Sequence, residues 1–197
     1  MYKTVITGGI ACGKSVFSRC LSELGAVVLD SDDVVHTLEA PGGDAVKPIA
    51  EAFGRIMISE DGSVDRVKLG NAVFNDLQAL NRLNGILHPL VDRYIEDWFE
   101  KEHAGIPVVE IPLLFEIGWE NRYDCVIALL SEKSTQIQRL MKDRGLNREQ
   151  AEARIAAQMP AYRKATLAHI VVYNNGSVET LRREAFRVYL LLKKRYG

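Results

Sequence analysis

The clearest chemical pattern in the chain lies near its amino terminus, where the residues match G-x-x-x-x-G-K-S/T. Glycines let the backbone curl so that successive N–H groups point at the phosphate oxygens of a ligand. A lysine in this pattern supplies charge at the β- and γ-phosphates, and the serine hydroxyl can ligate Mg²⁺. We therefore predict a triphosphate-binding loop made of Gly8, Gly9, Ile10, Ala11, Cys12, Gly13, Lys14, Ser15 and Val16.

Cys12 lies inside this predicted loop and allows two interpretations. A thiol close to a helix N-terminus can have a lowered pKa and become reactive. A small side chain that only fills a loop position is the simpler interpretation, and we favour it.

Three aspartates follow the second predicted strand, at Asp30, Asp32 and Asp33. Ligands of parallel sheets gather at the carboxyl ends of the strands, so a carboxylate here could accept a proton from an attacking hydroxyl. If the segment stays extended, Asp30 and Asp32 point to the same side. The alternative is helix capping, because Asp is favoured at an N-cap and residues 34–38 have a helical pattern. Since one cap does not require three acids, we predict a catalytic role for at least one of them.

Basic side chains are dense between Ser131 and Lys164. Arginines delivered by a closing segment can stabilise the charge that grows during phosphoryl transfer. The alternative is a solvated helical face, because acidic residues are interspersed at i,i+3 and i,i+4 spacing. We assign most of these charges to the surface, predict phosphate contacts for Arg139 and Arg144, and keep Arg148 and Arg163 as candidates for substrate contacts.

Two further residues are candidates for the acceptor site, each with a structural alternative. His88 precedes a proline in a predicted break between helices, and a lone histidine is more often a packing or hydrogen-bonding residue. Glu116 follows a predicted strand and could bind substrate or cap the next helix.

The elements that must position these residues alternate between strands and helices. Short apolar runs predict strands at 3–7, 26–29, 107–111, 125–130 and 169–173. Helical periodicity predicts helices at 14–24, 134–145, 148–159 and 178–195, together with a mostly helical stretch at 34–103 broken at 41–43, 60–62 and 88–89. Strand–helix–strand alternation predicts an α/β fold with a parallel sheet.

Composition narrows the class of protein. The 197 residues carry a net charge of -1, which provides no general basic field for nucleic acid or an anionic membrane. The three cysteines have neither disulfide-framework nor zinc-site spacing, and no apolar run approaches the length of a membrane span. We expect a cytoplasmic protein that binds neither nucleic acid nor membrane; the sequence does not define its oligomeric state.

Several segments together resemble the dephospho-coenzyme A kinase family, in order and over nearly the whole chain. They are Thr7-Gly8-Gly9-Ile10 with Gly13-Lys14-Ser15, Asp30-x-Asp32, Leu87-His88-Pro89-Leu90, Pro112-Leu113-Leu114-x-Glu116 and Asn174-Asn175-Gly176. The resemblance implies that ATP, with Mg²⁺, phosphorylates the ribose 3′-hydroxyl of dephospho-coenzyme A to give coenzyme A. It implies Asp32 as catalytic base, Lys14 as phosphate-binding lysine and Asn175 near the ATP base.

The resemblance also implies a domain organisation: a three-layer P-loop NTPase fold with a helical acceptor-binding insertion and a helical lid. The core is expected at about 1–32, 104–131 and 165–197, the insertion at about 33–103 and the lid at about 132–164.

This chain departs from the family pattern where it reads Ala11-Cys12-Gly13-Lys14-Ser15-Val16, because the family usually has Gly-Ser-Gly-Lys-Ser-Thr. Ala11 costs backbone freedom and Val16 removes a hydroxyl near the phosphates, but we expect nucleotide binding to be retained.

Three other classes of nucleotide-binding protein are alternatives. A GTPase normally needs an N-K-x-D segment, which the sequence lacks. A regulatory protein that binds nucleotide without transfer would not need Lys14, Ser15, Asp32 and the basic segment together. Another nucleoside or nucleotide kinase stays open, because fold alone does not select the acceptor.

Overall fold

The computed structural model describes residues 2–74 and 76–196, and the chain divides into two compact units. The first unit comprises Met1–Leu29 with Glu102–Gly197, and the second comprises Asp30–Lys101. Within the described ranges, no helix is both long enough and apolar enough to cross a lipid bilayer.

A five-stranded parallel sheet, in the order β2-β3-β1-β4-β5, forms the centre of the first unit. Its strands are β1 (Thr4–Gly8), β2 (Ala26–Asp30), β3 (Ile106–Glu110), β4 (Cys125–Leu130) and β5 (Ile170–Tyr173). Every residue of β1, β3 and β4 is buried, and β-branched or apolar side chains predominate in all three strands. Strand β1 pairs with β3 on one side and β4 on the other, so the segment that follows β1 starts from the middle of the sheet.

Helices cover the sheet and build the second unit. In chain order they are α1 (Lys14–Glu23), α2 (Ser31–Glu39), α3 (Val46–Phe53), α4 (Arg66–Val73), α5 (Leu77–Phe99), α6 (Lys133–Arg144), α7 (Arg148–Ala156), α8 (Ala161–Leu167) and α9 (Val178–Tyr196). The observed sheet and its flanking helices confirm the predicted α/β class.

The main core of the first unit lies between the sheet and the helices α1 and α9. Phe17 and Leu21 from α1 and Val188 from α9 are each 0% exposed and pack against Ile6 and Ile127 of the sheet. Burial of a large apolar side chain stabilises a fold by about 1.5–3 kcal/mol. This packing therefore fixes the start of α1 over the end of β1.

The second unit is a helical cluster in which α2, α3 and α4 contact α5. Helix α5 buries Leu83, Val91, Ile95 and Phe99 along one side. The break predicted at 88–89 was wrong, because α5 runs through Pro89 without interruption. Proline usually breaks a helix, but the buried residues on both sides of Pro89 hold the two halves in one helix.

Two local predictions also need correction. Helix α8 was missed, because only a proline stop after residue 159 was predicted and a short helix follows it. The segment after Asp30 is helical from Ser31, so the extended conformation considered for Asp30 and Asp32 is not present.

Candidate active site

The predicted phosphate loop joins β1 to α1, and packing requires glycine at two of its positions. A Cβ at Gly8, where φ is 147°, would lie 2.1 Å from the carbonyl oxygen of Leu129. At Gly13, where φ is 86°, it would lie 2.4 Å from Nδ2 of Asn174. Ala11 has a left-handed φ of 56°, so the expected cost of Ala at this position is present in the backbone.

The backbone of Ile10 is held by two glutamine side chains. Gln136 donates from Nε2 to the Ile10 carbonyl at 2.7 Å, and the Ile10 N–H donates to Oε1 of Gln158 at 2.8 Å. Gln136 comes from α6, whereas Gln158 follows α7. One loop residue is therefore held from both ends of the segment that contains these two helices.

The next two carbonyls of the loop are also bound by side chains. Arg139 donates to the Ala11 carbonyl at 3.1 Å, and Asn174 donates from Nδ2 to the Cys12 carbonyl at 3.0 Å. Arg139 also donates to the Asn174 carbonyl at 3.0 Å, which links the two contacts. These bonds direct loop carbonyls toward protein donors rather than toward a ligand.

The amino terminus of α1 leaves backbone N–H groups directed away from the helix. The Phe17 N–H donates to the Gly13 carbonyl at 3.1 Å, and this hydrogen bond closes the first turn of the helix. The amides of Ser15 and Val16 precede it, and helix geometry gives them no acceptor within α1. Such a terminus, with its positive dipole end, is suited to a phosphate.

Lys14 extends over the loop that precedes it. Its Nζ donates to the Gly9 carbonyl at 3.2 Å and to the Gly8 carbonyl at 3.5 Å. The ammonium group therefore lies at the loop, where it can neutralise a bound phosphate.

A cavity of about 670 Å³ adjoins the loop and the amino terminus of α1. It brings together the predicted residues Arg139 and Arg144 with Lys14 and Ser15. Its lining consists of Ala11, Gly13, Lys14, Ser15, Val16, Arg139, Leu140, Lys142, Asp143, Arg144, Asn174, Gly176, Ser177, Val178 and Leu181. The lining combines cationic side chains with apolar ones, a mixture that suits the phosphates and the base of a nucleotide.

Of the two neighbouring asparagines, Asn174 lines this cavity, whereas Asn175 contacts the start of α6. The side chain of Asn175 accepts from the Glu132 N–H at 2.7 Å and donates to the Glu132 carboxylate at 3.3 Å. Asn175 therefore holds the N-cap of α6, and its predicted contact with the nucleotide stays a prediction.

Glu116 takes part in a buried ion pair that the sequence did not suggest. Lys164 of α8 has a side chain that is 1% exposed, and its Nζ lies 2.8 Å from Oε1 of Glu116, which is 20% exposed. The same oxygen accepts from the Met159 N–H at 3.0 Å. Glu116 thus joins the segment after β3 to the segment between α7 and α8.

The other two arginine candidates are surface residues in this structure. Arg148 pairs with Glu152 at 3.1 Å, an i,i+4 contact in which its side chain is 75% exposed. Arg163 is exposed on α8. The surface interpretation describes both side chains in this conformation, and their substrate contacts stay predictions.

The three aspartates predicted after the second strand, Asp30, Asp32 and Asp33, lie at the start of α2. Asp30 is the N-cap, and its side chain accepts from the Asp32 N–H at 2.9 Å. The capping alternative is therefore confirmed for Asp30. Asp32 and Asp33 are exposed in the first turn of α2, where neither is needed as the cap.

His88 lies within α5 and is partly buried. Burial lowers the pKa of its imidazole, because the charged form is less well solvated there. A contact between His88 and the acceptor stays a prediction.

Cys12 is buried, with an exposed fraction of 1%. Desolvation raises the pKa of its thiol, and the nearby Ser131 and Lys14 only partly offset this effect. A raised pKa disfavours the reactive thiolate, so the structure supports Cys12 as a small side chain that fills the loop.

The side chains at the start of α1 are compatible with a magnesium ion that is delivered together with a nucleotide. Over residues 2–74 and 76–196, no group of three or more His, Cys, Asp or Glu side chains is arranged to hold a metal. Mg²⁺ commonly takes one or two protein ligands and completes its octahedron with phosphate oxygens and water. The exposed hydroxyl of Ser15, at the start of α1, can supply one such ligand.

Four residues around the loop were missed from the sequence: Gln136, Gln158, Asn174 as a loop ligand, and Lys164. Neutral amides within helical patterns give no motif, and Lys164 was treated as one of many surface charges. Asn174 had a signal, because it belongs to the Asn-Asn-Gly segment from which Asn175 was selected.

Comparisons with known proteins agree with this geometry. The family model described as dephospho-CoA kinase matches residues 3–180. The dephospho-CoA kinase of Carboxydothermus hydrogenoformans is 39% identical over 186 residues, covering 93% of this chain and 90% of that protein. The crystal structure of TT1252 from Thermus thermophilus is similar with a TM-score of 0.81 and 32% identity, covering 98% and 99% of the two chains. Dephospho-CoA kinase from Campylobacter jejuni matches with a TM-score of 0.67 and 26% identity, covering 96% of each chain.

Proposed function

Because the chain belongs to the dephospho-CoA kinase family, we propose that it transfers the γ-phosphate of ATP to the ribose 3′-hydroxyl of dephospho-coenzyme A. The product is coenzyme A, and the reaction is the final step of its biosynthesis. The observation that carries the proposal for this chain is the loop after β1, whose carbonyls are bound by side chains while the amides of Ser15 and Val16 have no acceptor within α1.

ATP is the proposed phosphoryl donor. Its phosphates would meet the amides at the start of α1, with Lys14 at the β- and γ-phosphates. The cavity beside the loop, about 670 Å³ in volume, is large enough for the nucleoside part. When bound, Mg²⁺ would neutralise the phosphate oxygens, with Ser15 as its protein ligand.

Transfer of the γ-phosphate also requires removal of the proton from the acceptor hydroxyl and stabilisation of the negative charge on the phosphate being transferred. We assign to Asp32 the removal of the proton from the 3′-hydroxyl, supported by its place directly after β2 and by its freedom from the capping role of Asp30. Arg144 lines the cavity and is the proposed cation for the transferring phosphate. Arg139 would act there too, although in this conformation it also fixes the loop.

We also propose the residues that contact the acceptor, together with an acceptor-binding insertion and a lid. The proposed acceptor-side residues are His88, Glu116, Arg148 and Arg163. His88 belongs to an insertion at about 33–103, Glu116 to the core, and Arg148 and Arg163 to a lid at about 132–164. The burial of Cys12, Cys20 and Cys125 as free thiols supports a reducing compartment, for which we propose the cytoplasm.

The test is a product assay with the purified chain, Mg-ATP and dephospho-coenzyme A. We expect coenzyme A, identified by its mass and by release of its phosphate with a 3′-nucleotidase. Adenosine and other nucleosides serve as competing acceptors. Phosphorylation of a nucleoside without formation of coenzyme A would overturn the proposal in favour of another kinase of the same fold.

A further inference from the structure

Ile10 is attached to the two helices α6 and α7 through its side chain as well as its backbone. Its side chain packs against a small cluster formed by Ile137 and Leu140 of α6 and Ala151 of α7. This cluster is separate from the main core between the sheet, α1 and α9. The tip of the phosphate loop is therefore part of the packing between α6 and α7.

The backbone of Ile10 determines how its two glutamine partners are oriented. A backbone N–H can only donate and a carbonyl can only accept. Gln158 must therefore present its oxygen to the Ile10 N–H, and Gln136 must present its amide nitrogen to the Ile10 carbonyl. The two side chains are chemically identical but perform opposite hydrogen-bonding roles.

The contact from Gln136 is close and buried. Gln136 is 6% exposed, and a Cβ on Gly9 would lie 2.8 Å from its Nε2. Glycine at position 9 thus gives the glutamine room to reach the loop. Gln158 is less buried, and the following residue, Met159, is tied to Glu116. Both ends of the α6–α7 pair are consequently fixed beside the loop.

We infer that Gln136 and Gln158 are positioning residues that hold Ile10 so that docking of the α6–α7 pair and the ATP-binding shape of the loop stabilise each other. The inference rests on the proposed function, which makes ATP the ligand of the loop. If ATP binds the arrangement of the loop that the docked α6–α7 pair holds, ATP also favours docking. Removal of either glutamine should therefore weaken the binding of ATP.

The test compares two substitutions at each glutamine by calorimetric titration of the whole chain with Mg-ATP, without acceptor. Gln136→Met and Gln158→Met should each raise the Kd by about five- to tenfold, because each removes one hydrogen bond to the loop. Gln158→Glu keeps the accepting oxygen, so its Kd should stay within about threefold of wild type. Gln136→Glu replaces a donor with an acceptor facing a carbonyl, so it should weaken binding more than Gln136→Met does.

The two glutamate variants add the same charge beside the same loop residue, so a general electrostatic effect would change both alike. Gln138→Glu is the matched control, because Gln138 is exposed on α6 and its variant should bind ATP as wild type does. The double variant Gln136→Met with Gln158→Met should weaken binding by less than the product of the single effects, since both act on Ile10.

Equal weakening by Gln136→Glu and Gln158→Glu would overturn the inference, as would methionine variants that bind ATP normally. Thermal melting reports whether each variant folds. If the Gln136 variants do not fold, the Gln158 variants alone test the inference. A Gln158→Glu variant that binds ATP no better than Gln158→Met would contradict the positioning role of Gln158. A wild-type chain that binds ATP but makes no coenzyme A would refute the proposed function and leave this result standing; a chain that binds no ATP would overturn both.

Discussion

At the scale of single residues, Asp32 carries the proposed proton transfer. Asp32→Asn removes the base but keeps the size of the side chain, so turnover should fall by about 10²-fold or more. The Kd for ATP should change little, because a base acts on the transition state. Steady-state assays with dephospho-coenzyme A and a separate ATP titration measure the two effects.

Asp33→Asn provides the control for this experiment, because Asp33 is the adjacent exposed acid in the first turn of α2. Its turnover should stay near that of wild type. Near-normal turnover of Asp32→Asn would remove Asp32 from the proposed role, and equal losses in both variants would point to the charge of the turn instead.

His88 predicts a pH dependence of stability. Burial lowers its pKa below the ordinary value of 6.5, so the unfolded chain binds this proton at a higher pH than the folded chain. The contribution of His88 is therefore fully present above pH 6.5 and is lost as the pH falls through the lowered folded value.

Urea unfolding of wild type and His88→Gln at pH 8 and pH 5.5 tests this sign. The variant should lose less stability between the two pH values than wild type, because its side chain does not titrate. An identical loss in both proteins would show that His88 does not contribute to the acid sensitivity.

At the scale of elements, helix α5 contains a proline at an interior position, which is locally unfavourable in a helix. Pro89 is exposed, and it lacks the N–H that an α-helix needs at an interior position. Pro89→Ala should stabilise the second unit by about 1–2 kcal/mol, since Pro is far less favourable than Ala within a helix. Urea unfolding measures the change.

Gly85→Ala is the companion variant, because Gly85 lies one turn earlier in α5 and a Cβ there meets nothing within 4 Å. It should stabilise the chain by up to about 1 kcal/mol. Destabilisation by Pro89→Ala, with the expected gain from Gly85→Ala, would mean that the helix requires the local geometry that proline imposes.

The ion pair between Glu116 and Lys164 joins elements that are distant in sequence. Glu116→Gln should destabilise the chain by about 3 kcal/mol or more, because it leaves an ammonium group that is 1% exposed without its carboxylate. Lys164→Met should cost less, because the remaining carboxylate is 20% exposed and keeps the Met159 N–H as a donor. Guanidinium unfolding of the two variants compares the losses; a larger loss for Lys164→Met would contradict this argument.

Elements were predictable wherever burial imposed a regular pattern. The strands β1, β3 and β4 lie fully buried in the sheet, so their runs of β-branched and apolar residues predicted them to within a residue or two. Pro89 and the short helix α8 were not predictable in this way, because local propensity opposed the tertiary packing at Pro89 and α8 is only 7 residues long. Asp30 was ambiguous for a different reason, since the same carboxylate suits a cap or a catalytic site.

At the scale of the whole molecule, the motif identified the phosphate loop but not the residues that hold it. Glycines and Lys14 have a pattern along the chain because successive backbone groups of the loop contact one ligand. Gln136, Gln158 and Asn174 reach the loop from 126, 148 and 162 residues away. Their roles depend on how helices dock, and a single sequence does not record that arrangement.

The central claim is that the loop after β1 binds the triphosphate of ATP. A crystal structure with a non-hydrolysable ATP analogue, Mg²⁺ and dephospho-coenzyme A tests it most directly. We predict β- and γ-phosphates on the amides of residues 11–15, with Lys14 against them, Ser15 at the metal and the acceptor 3′-hydroxyl facing the γ-phosphate. A loop without phosphates, with the nucleotide bound elsewhere, would contradict the account.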